Sequence, residues 1–118
     1  MDLKNHELIA VNKEILLGFW KIHILRHAAE GPLVGQWMLK ELQRHGYHVS
    51  PGTLYPMLKR MENHGWLRSE VDKARGPKAP RSYFLTEKGR EVLLYVQTQL
   101  AEFRREPKGV VSQAPLPT

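Results

Sequence analysis

From Asn12 to Ala29 apolar residues return every three or four positions: Ile15, Leu16, Phe19, Trp20, Ile22, Leu25 and Ala28. That spacing is the period of an amphipathic helix, so a long first helix is predicted here. Gly31-Pro32 should end it, glycine by offering a left-handed cap and proline by being unable to continue the hydrogen-bond ladder. Leu3, Leu8 and Ile9 are apolar enough to pack on something. Their spacing leaves open whether residues 2–11 lengthen this helix or form a separate arm.

A second helix is predicted from Val34 to His45, with Met38, Leu39 and Leu42 inward and Lys40, Glu41 and Arg44 outward. Gly46 stops it. The short connection to Ser50 contains a glycine, and Ser50 is placed to cap the next helix through its hydroxyl, with Pro51 in the first turn. A third helix, from Pro51 to His64, puts Leu54, Met57, Leu58 and Met61 on one side and Thr53, Tyr55, Pro56, Lys59, Arg60 and Asn63 on the other. Pro56 is tolerable only near the helix start, so a distorted first turn is expected. Two helices joined in this way read as a helix-turn-helix.

After Gly65 the pattern changes from a helical period to alternation. Leu67, Ser69 and Val71 interleave with Arg68, Glu70 and Asp72, a strand signal. KARGPKAP, residues 73–80, is a turn rich in glycine, proline and cations, and Arg81 to Leu85 forms the returning strand. Thr86 then caps a fourth helix, Glu87 to about Arg105, on which Leu93, Val96, Leu100 and Phe103 make a heptad stripe. So long a stripe calls for another helix, and in a small chain its own copy is the economical partner.

The predicted fold is mainly α with a small β component (α+β): a winged helix-turn-helix over residues 1–86, with a two-stranded wing and residues 1–13 as an N-terminal extension. A C-terminal dimerisation helix follows over 87–106. The proline-rich, aperiodic residues 107–118 are expected to be a disordered tail. At 118 residues the chain has room for one core.

Charge sharpens this picture once it is divided along the chain. Residues 33–86 carry nine basic and four acidic side chains, whereas 1–32 and 87–106 each hold four of either sign, so the excess charge sits on the motif and its wing. The absence of cysteine excludes disulfides, thiolate metal sites and cysteine nucleophiles. MDLKNHEL has neither a basic start nor a following apolar run, and no segment is long and apolar enough for a membrane span, so a cytoplasmic protein without a membrane partner is expected. No nucleophile motif, glycine-rich phosphate loop or paired acidic constellation is present, which argues against an enzyme, and no cofactor is expected.

A helix of this kind fits the major groove of double-stranded DNA, with the first half of the motif's second helix nearest the bases. Ser50 and Thr53 at the helix start could meet phosphates; Tyr55, Pro56, Lys59 and Arg60 lie on its outer face. Lys73, Arg75, Lys78 and Arg81 have no acid between them and suit a wing that reaches phosphates or the minor groove. A solvated face is the plain alternative, and a winged helix that meets an acidic protein partner is the rival from another class. The expected contact with a second copy comprises Phe19, Trp20, Leu93, Val96, Leu100 and Phe103. His23 and His27 stand one helical turn apart, a spacing that suits two imidazoles on one ion, although packing is the commoner use of such a pair and no metal is assigned. Trp37, flanked by polar residues, should be partly exposed and could border an effector pocket with these histidines.

Three blocks, EILLGFWKIHILRHAAEGPLVG, SPGTLYPMLKRMENHGWLRSE and RSYFLTEKGREVL, in this order and spacing, resemble the PadR family of bacterial transcription regulators over residues 14–95. The resemblance implies a winged helix-turn-helix that dimerises through its C-terminal helix and usually represses genes for detoxification, drug efflux or phenolic-acid metabolism. The single C-terminal helix is similar to the short branch of the family. Gly52 to Pro56 matches the start of the recognition helix, with Tyr55 meeting DNA, and Arg81 matches a basic position at the end of the wing. Gln36, Trp37, His23 and His27 depart from the family's usual residues near the expected subunit contact. No tryptophan follows Trp66, so the stacking tryptophan that multidrug-binding relatives carry on the last helix is missing. A small aromatic or lipophilic effector is a further expectation from the resemblance.

Overall fold

The computed structural model describes residues 2–105. Helix α1 (Asn5–Val11) runs through a π-helical turn, Asn12–Leu16, into α2 (Leu17–Glu30). The N-terminal extension is therefore helical and continuous with the first helix, the question that the apolar pattern had left open. Gly31 corrects one expectation. Its φ of 161° is extended backbone, so α2 ends without a left-handed cap. The chain straightens instead into a short strand, β1 (Leu33–Val34), which the sequence pattern had partly assigned to the second helix. Two β-prone residues pair there with the free edge of a strand fifty residues downstream, an option that helical periodicity does not register.

Helix α3 (Gly35–Arg44) and helix α4 (Pro51–Asn63) form the helix-turn-helix. Gly46 closes the first and Gly65 the second, with φ of 90° and 83° in the left-handed region where a side chain would be strained. Strands β2 (Leu67–Val71) and β3 (Arg81–Leu85) follow, antiparallel, with Ser69 opposite Tyr83. Because β1 also pairs with β3, placing Leu33 opposite Tyr83, the expected two-stranded wing is part of a three-stranded sheet in the order β1-β3-β2. Helix α5 (Glu87–Arg104) starts at Thr86, whose hydroxyl oxygen accepts from the Gly89 amide at 2.9 Å. The predicted tail, 107–118, lies outside the described residues.

The inner face of α4 is the centre of the core: Leu54, Met57, Leu58 and Met61 are all but fully buried, against Met38 and Leu42 of α3 and Ile24 of α2. Tyr83 and Leu33 seal it from the sheet side. Helix α5 closes over the residue just before β2 at Gly89, where a Cβ would stand 2.1 Å from the Trp66 carbonyl oxygen. Only glycine permits so close an approach.

Candidate nucleic-acid interface

The start of α4 is built by its neighbours as much as by its own sequence. Ser50 stands at the N-cap with extended φ and ψ, but its hydroxyl does not cap the helix; it lies 3.4 Å from the Thr53 hydroxyl, and the Ser50 carbonyl receives the Thr53 and Leu54 amides at 3.0 Å. The side-chain cap expected from sequence is thus absent, which leaves both hydroxyls near the surface. Pro56, the sixth residue of a helix that starts at Pro51 as predicted, sits in the second turn, and the helix continues through it to Asn63. Tyr55, 42% exposed, lies along the start of α3, where a Cβ on Gly35 would come within 2.7 Å of its ring. Glycine at 35 gives the ring its seat, a contact that sequence spacing could not reveal.

The outer surface of α4 carries Gly52, Tyr55, Pro56, Lys59, Arg60 and Asn63, all exposed. Beyond it, the wing loop exposes Lys73, Arg75 and Lys78. Asp72 organises the loop by accepting the Ala74 amide at 3.1 Å at the start of a 3-10 turn, Lys73–Arg75. Arg81 is exposed but committed, donating from Nη1 to the Ser69 hydroxyl at 2.9 Å, while Ser69 donates to Glu62 at 2.5 Å.

The four acids of this region are spent locally. Glu41 is gripped by Arg44 at 2.6 Å, which holds its carboxyl below the usual range. Glu70 pairs with Arg68 at 2.8 Å, whose guanidinium also lies 4.3 Å over the Phe84 ring. Glu62 takes Ser69, and Asp72 caps the turn. Among the described residues no carboxylate lies within 4.0 Å of Lys59, Arg60, Lys73, Arg75 or Lys78. Of the six basic side chains of this region left uncompensated, all but Lys40 of α3 therefore lie on one helix face and one loop, a surface suited to phosphates.

The residues grouped for a subunit contact divide. Trp20 is 2% exposed and Leu93 6%, so both belong to the chain's own core, a correction that follows from α5 packing on α2 within one chain. Phe19 and Phe103 remain 41% and 67% exposed, and Val96 and Leu100 are half-buried. Between α2 and α5 runs an apolar groove of about 370 Å³ lined by Phe19, Ile22, Trp66, Val92, Val96 and Leu100, among others.

His23 and His27 turn to different neighbours. His23 meets the Tyr47 hydroxyl at 3.4 Å and stacks on His45 with centroids 5.6 Å apart, whereas His27 meets Trp37 edge to face at 5.1 Å. Burial and the adjacent His45, Arg26 and His27 charges hold the His23 imidazole below its ordinary pKa. No group of three or more histidine, aspartate or glutamate side chains among the described residues could hold a metal ion. Trp37 is 48% exposed, as its polar neighbours suggested.

Comparison with known proteins decides the family. The pattern described as "Transcriptional regulator PadR-like family" matches residues 24–94. This chain belongs to the PadR-like family. It is also similar to the transcriptional regulator Rv3488 of Mycobacterium tuberculosis, 47% identical over 89 residues, which cover 75% of this chain and 82% of that protein. A PadR family transcriptional regulator of Eggerthella lenta has the same architecture, with a TM-score of 0.69 at 27% identity, covering 89% of this chain and 96% of the other. A transcriptional regulator of Clostridium thermocellum superposes with a TM-score of 0.71 at 20% identity, over 84% of this chain and 99% of that one, a likeness of fold. The protein is thus a PadR-like, DNA-binding transcriptional regulator. No helix among the described residues is long and apolar enough to cross a membrane.

Proposed function

We propose that this PadR-like regulator is a repressor that binds a pseudo-palindromic operator as a homodimer. The observation that carries the reading is the set of uncompensated cations on the outer face of α4 and on the wing. The recognition helix lies in the major groove, Ser50 and Thr53 meet phosphates at its start, Tyr55, Lys59 and Arg60 reach base edges or the backbone, and the wing holds the adjacent phosphates. Arg81 contributes by holding β2 and β3 in register as well as by its charge. A second copy covers the apolar groove between α2 and α5, which sets the two recognition helices roughly 34 Å apart, one turn of DNA. A small aromatic or lipophilic effector releases the operator, bound beside the exposed Trp37 ring and the His27 imidazole that meets it edge to face.

Footprinting on the DNA upstream of the gene, followed by gel shifts against excess nonspecific competitor, tests the reading. Lys59→Ala combined with Arg60→Ala should lower operator affinity by at least about thirtyfold, at 1–3 kcal/mol for each of the two lost contacts, with an unchanged melting temperature. Loss of affinity with rising salt is also expected. A wild-type protein that forms no operator-specific complex would instead favour an interaction module whose basic surface meets an acidic protein.

A further inference from the structure

The DNA face does not stop at the recognition helix. Thr53 also forms one wall of a cleft of about 300 Å³ between the helix-turn-helix and the first helix. Its floor comes from Leu17, Trp20 and the inward Asn12, with Ile9 exposed at its edge, and its polar rim consists of Lys13, His48 and Thr53. On the other side of the same His48 and Thr53 pair lies a second hollow, of about 500 Å³, bordered by Gln43, Tyr47 and Ser50. No aspartate or glutamate lines either one. Amide, imidazole, hydroxyl and ammonium groups thus continue the electropositive surface around the start of α4 and onto the N-terminal helix.

The π-helical turn sets which residue occupies that rim. In an uninterrupted α-helix Lys13, four and seven positions before Leu17 and Trp20, would share their inward face. The wide turn at Asn12–Leu16 inserts an extra residue and shifts the phase. Asn12 takes the inward place, at 9% exposure, and Lys13 is turned out into solvent. Among the described residues no carboxylate lies within 4.0 Å of it.

We propose that Lys13, with His48 and Thr53, seats a phosphodiester of the operator backbone, so that the N-terminal helix is a third DNA-contacting element beside α4 and the wing. This rests on the DNA-binding reading above and extends it to a segment outside the helix-turn-helix. Continuity with the recognition surface through Thr53 and the sign of the rim both point to the DNA backbone as the occupant.

The test is binding of the full chain, as wild type, Lys13→Ala, Lys13→Gln and Lys13→Arg, to the footprinted duplex and to a scrambled duplex of equal length, titrated from about 50 to 200 mM KCl. Lys13→Ala and Lys13→Gln should weaken both duplexes by the same factor and make the plot of log affinity against log salt shallower by about 0.9 per subunit. The advantage of the wild type would then shrink about three- to fourfold per subunit across that salt range. Lys13→Arg should restore both affinity and slope, and His48→Ala should weaken both duplexes alike. Unchanged affinity and slope in Lys13→Ala and Lys13→Gln, while Lys59→Ala with Arg60→Ala still loses binding, would overturn this inference and leave the DNA reading intact. A loss confined to the footprinted duplex would also overturn it, since a phosphate seat carries no sequence information. Failure of the wild type to bind either duplex would remove both readings together.

Discussion

Helices α4 and α5 both carry an apolar stripe, yet the chain treats the stripes differently. In α4 the stripe is wholly consumed: Leu54, Met57, Leu58 and Met61 are at most 1% exposed, and what remains outside is polar and cationic. In α5 only Leu93 and Gly89 are buried; Val96 and Leu100 are half covered and Phe103 is 67% exposed. A helix whose apolar face is satisfied at home presents its other face to a polar partner. A helix whose apolar face is left over must find a partner for it elsewhere, since large exposed apolar patches mark association surfaces. The same periodicity is therefore used up in one element and left open in the other, and burial makes the distinction.

The contrast can be broken most forcefully at Leu58. Leu58→Ala should destabilise the chain by about 2–5 kcal/mol, through lost burial and the cavity left behind, by an amount that does not depend on protein concentration. Chemical denaturation at two concentrations would check this. Phe103→Ala should act in the opposite manner. Its stability in dilute solution should match wild type, while dimer association weakens by about 2 kcal/mol, as truncation of a central aromatic anchor does. Sedimentation at graded concentrations reads that difference; a Phe103→Ala protein that associates like wild type would move the subunit contact off α5.

The smallest effect lies outside both helices, at His23 of α2, where it meets Tyr47 and His45. Because its imidazole is held below the ordinary value near 6.5, the unfolded chain takes up that proton first as pH falls. The contribution to stability is full above about pH 6.5 and declines as pH drops toward the folded value. The melting temperature should fall between about pH 7.5 and 5.5, and His23→Gln should flatten part of that fall. Parallel profiles for the two proteins would assign the decline to other groups.

Periodicity made the elements legible. Helices α3, α4 and α5 and strands β2 and β3 follow the sequence within a residue or two, because each repeats its apolar positions often enough to be read locally. What could not be read were features made by pairs of distant residues. Strand β1 exists only because β3 offers an edge to Leu33 and Val34. A helical wheel shows only that Trp20 is apolar, not that its own chain covers it. The roles of Gly35 beneath Tyr55 and of Gly89 against Trp66 are likewise steric facts between elements.

By itself, then, the sequence determined which segments are helices or strands, where the cations lie and to which family the pattern belongs, since these depend on local spacing and composition. Tertiary structure decided which cations are free. Arg44 and Arg68 are neutralised by Glu41 and Glu70, Arg81 is tied to Ser69, and Lys59, Arg60 and the wing lysines are left open. It also decided which apolar stripe is finished and which is not, because exposure is fixed only when every element has taken its place against the others.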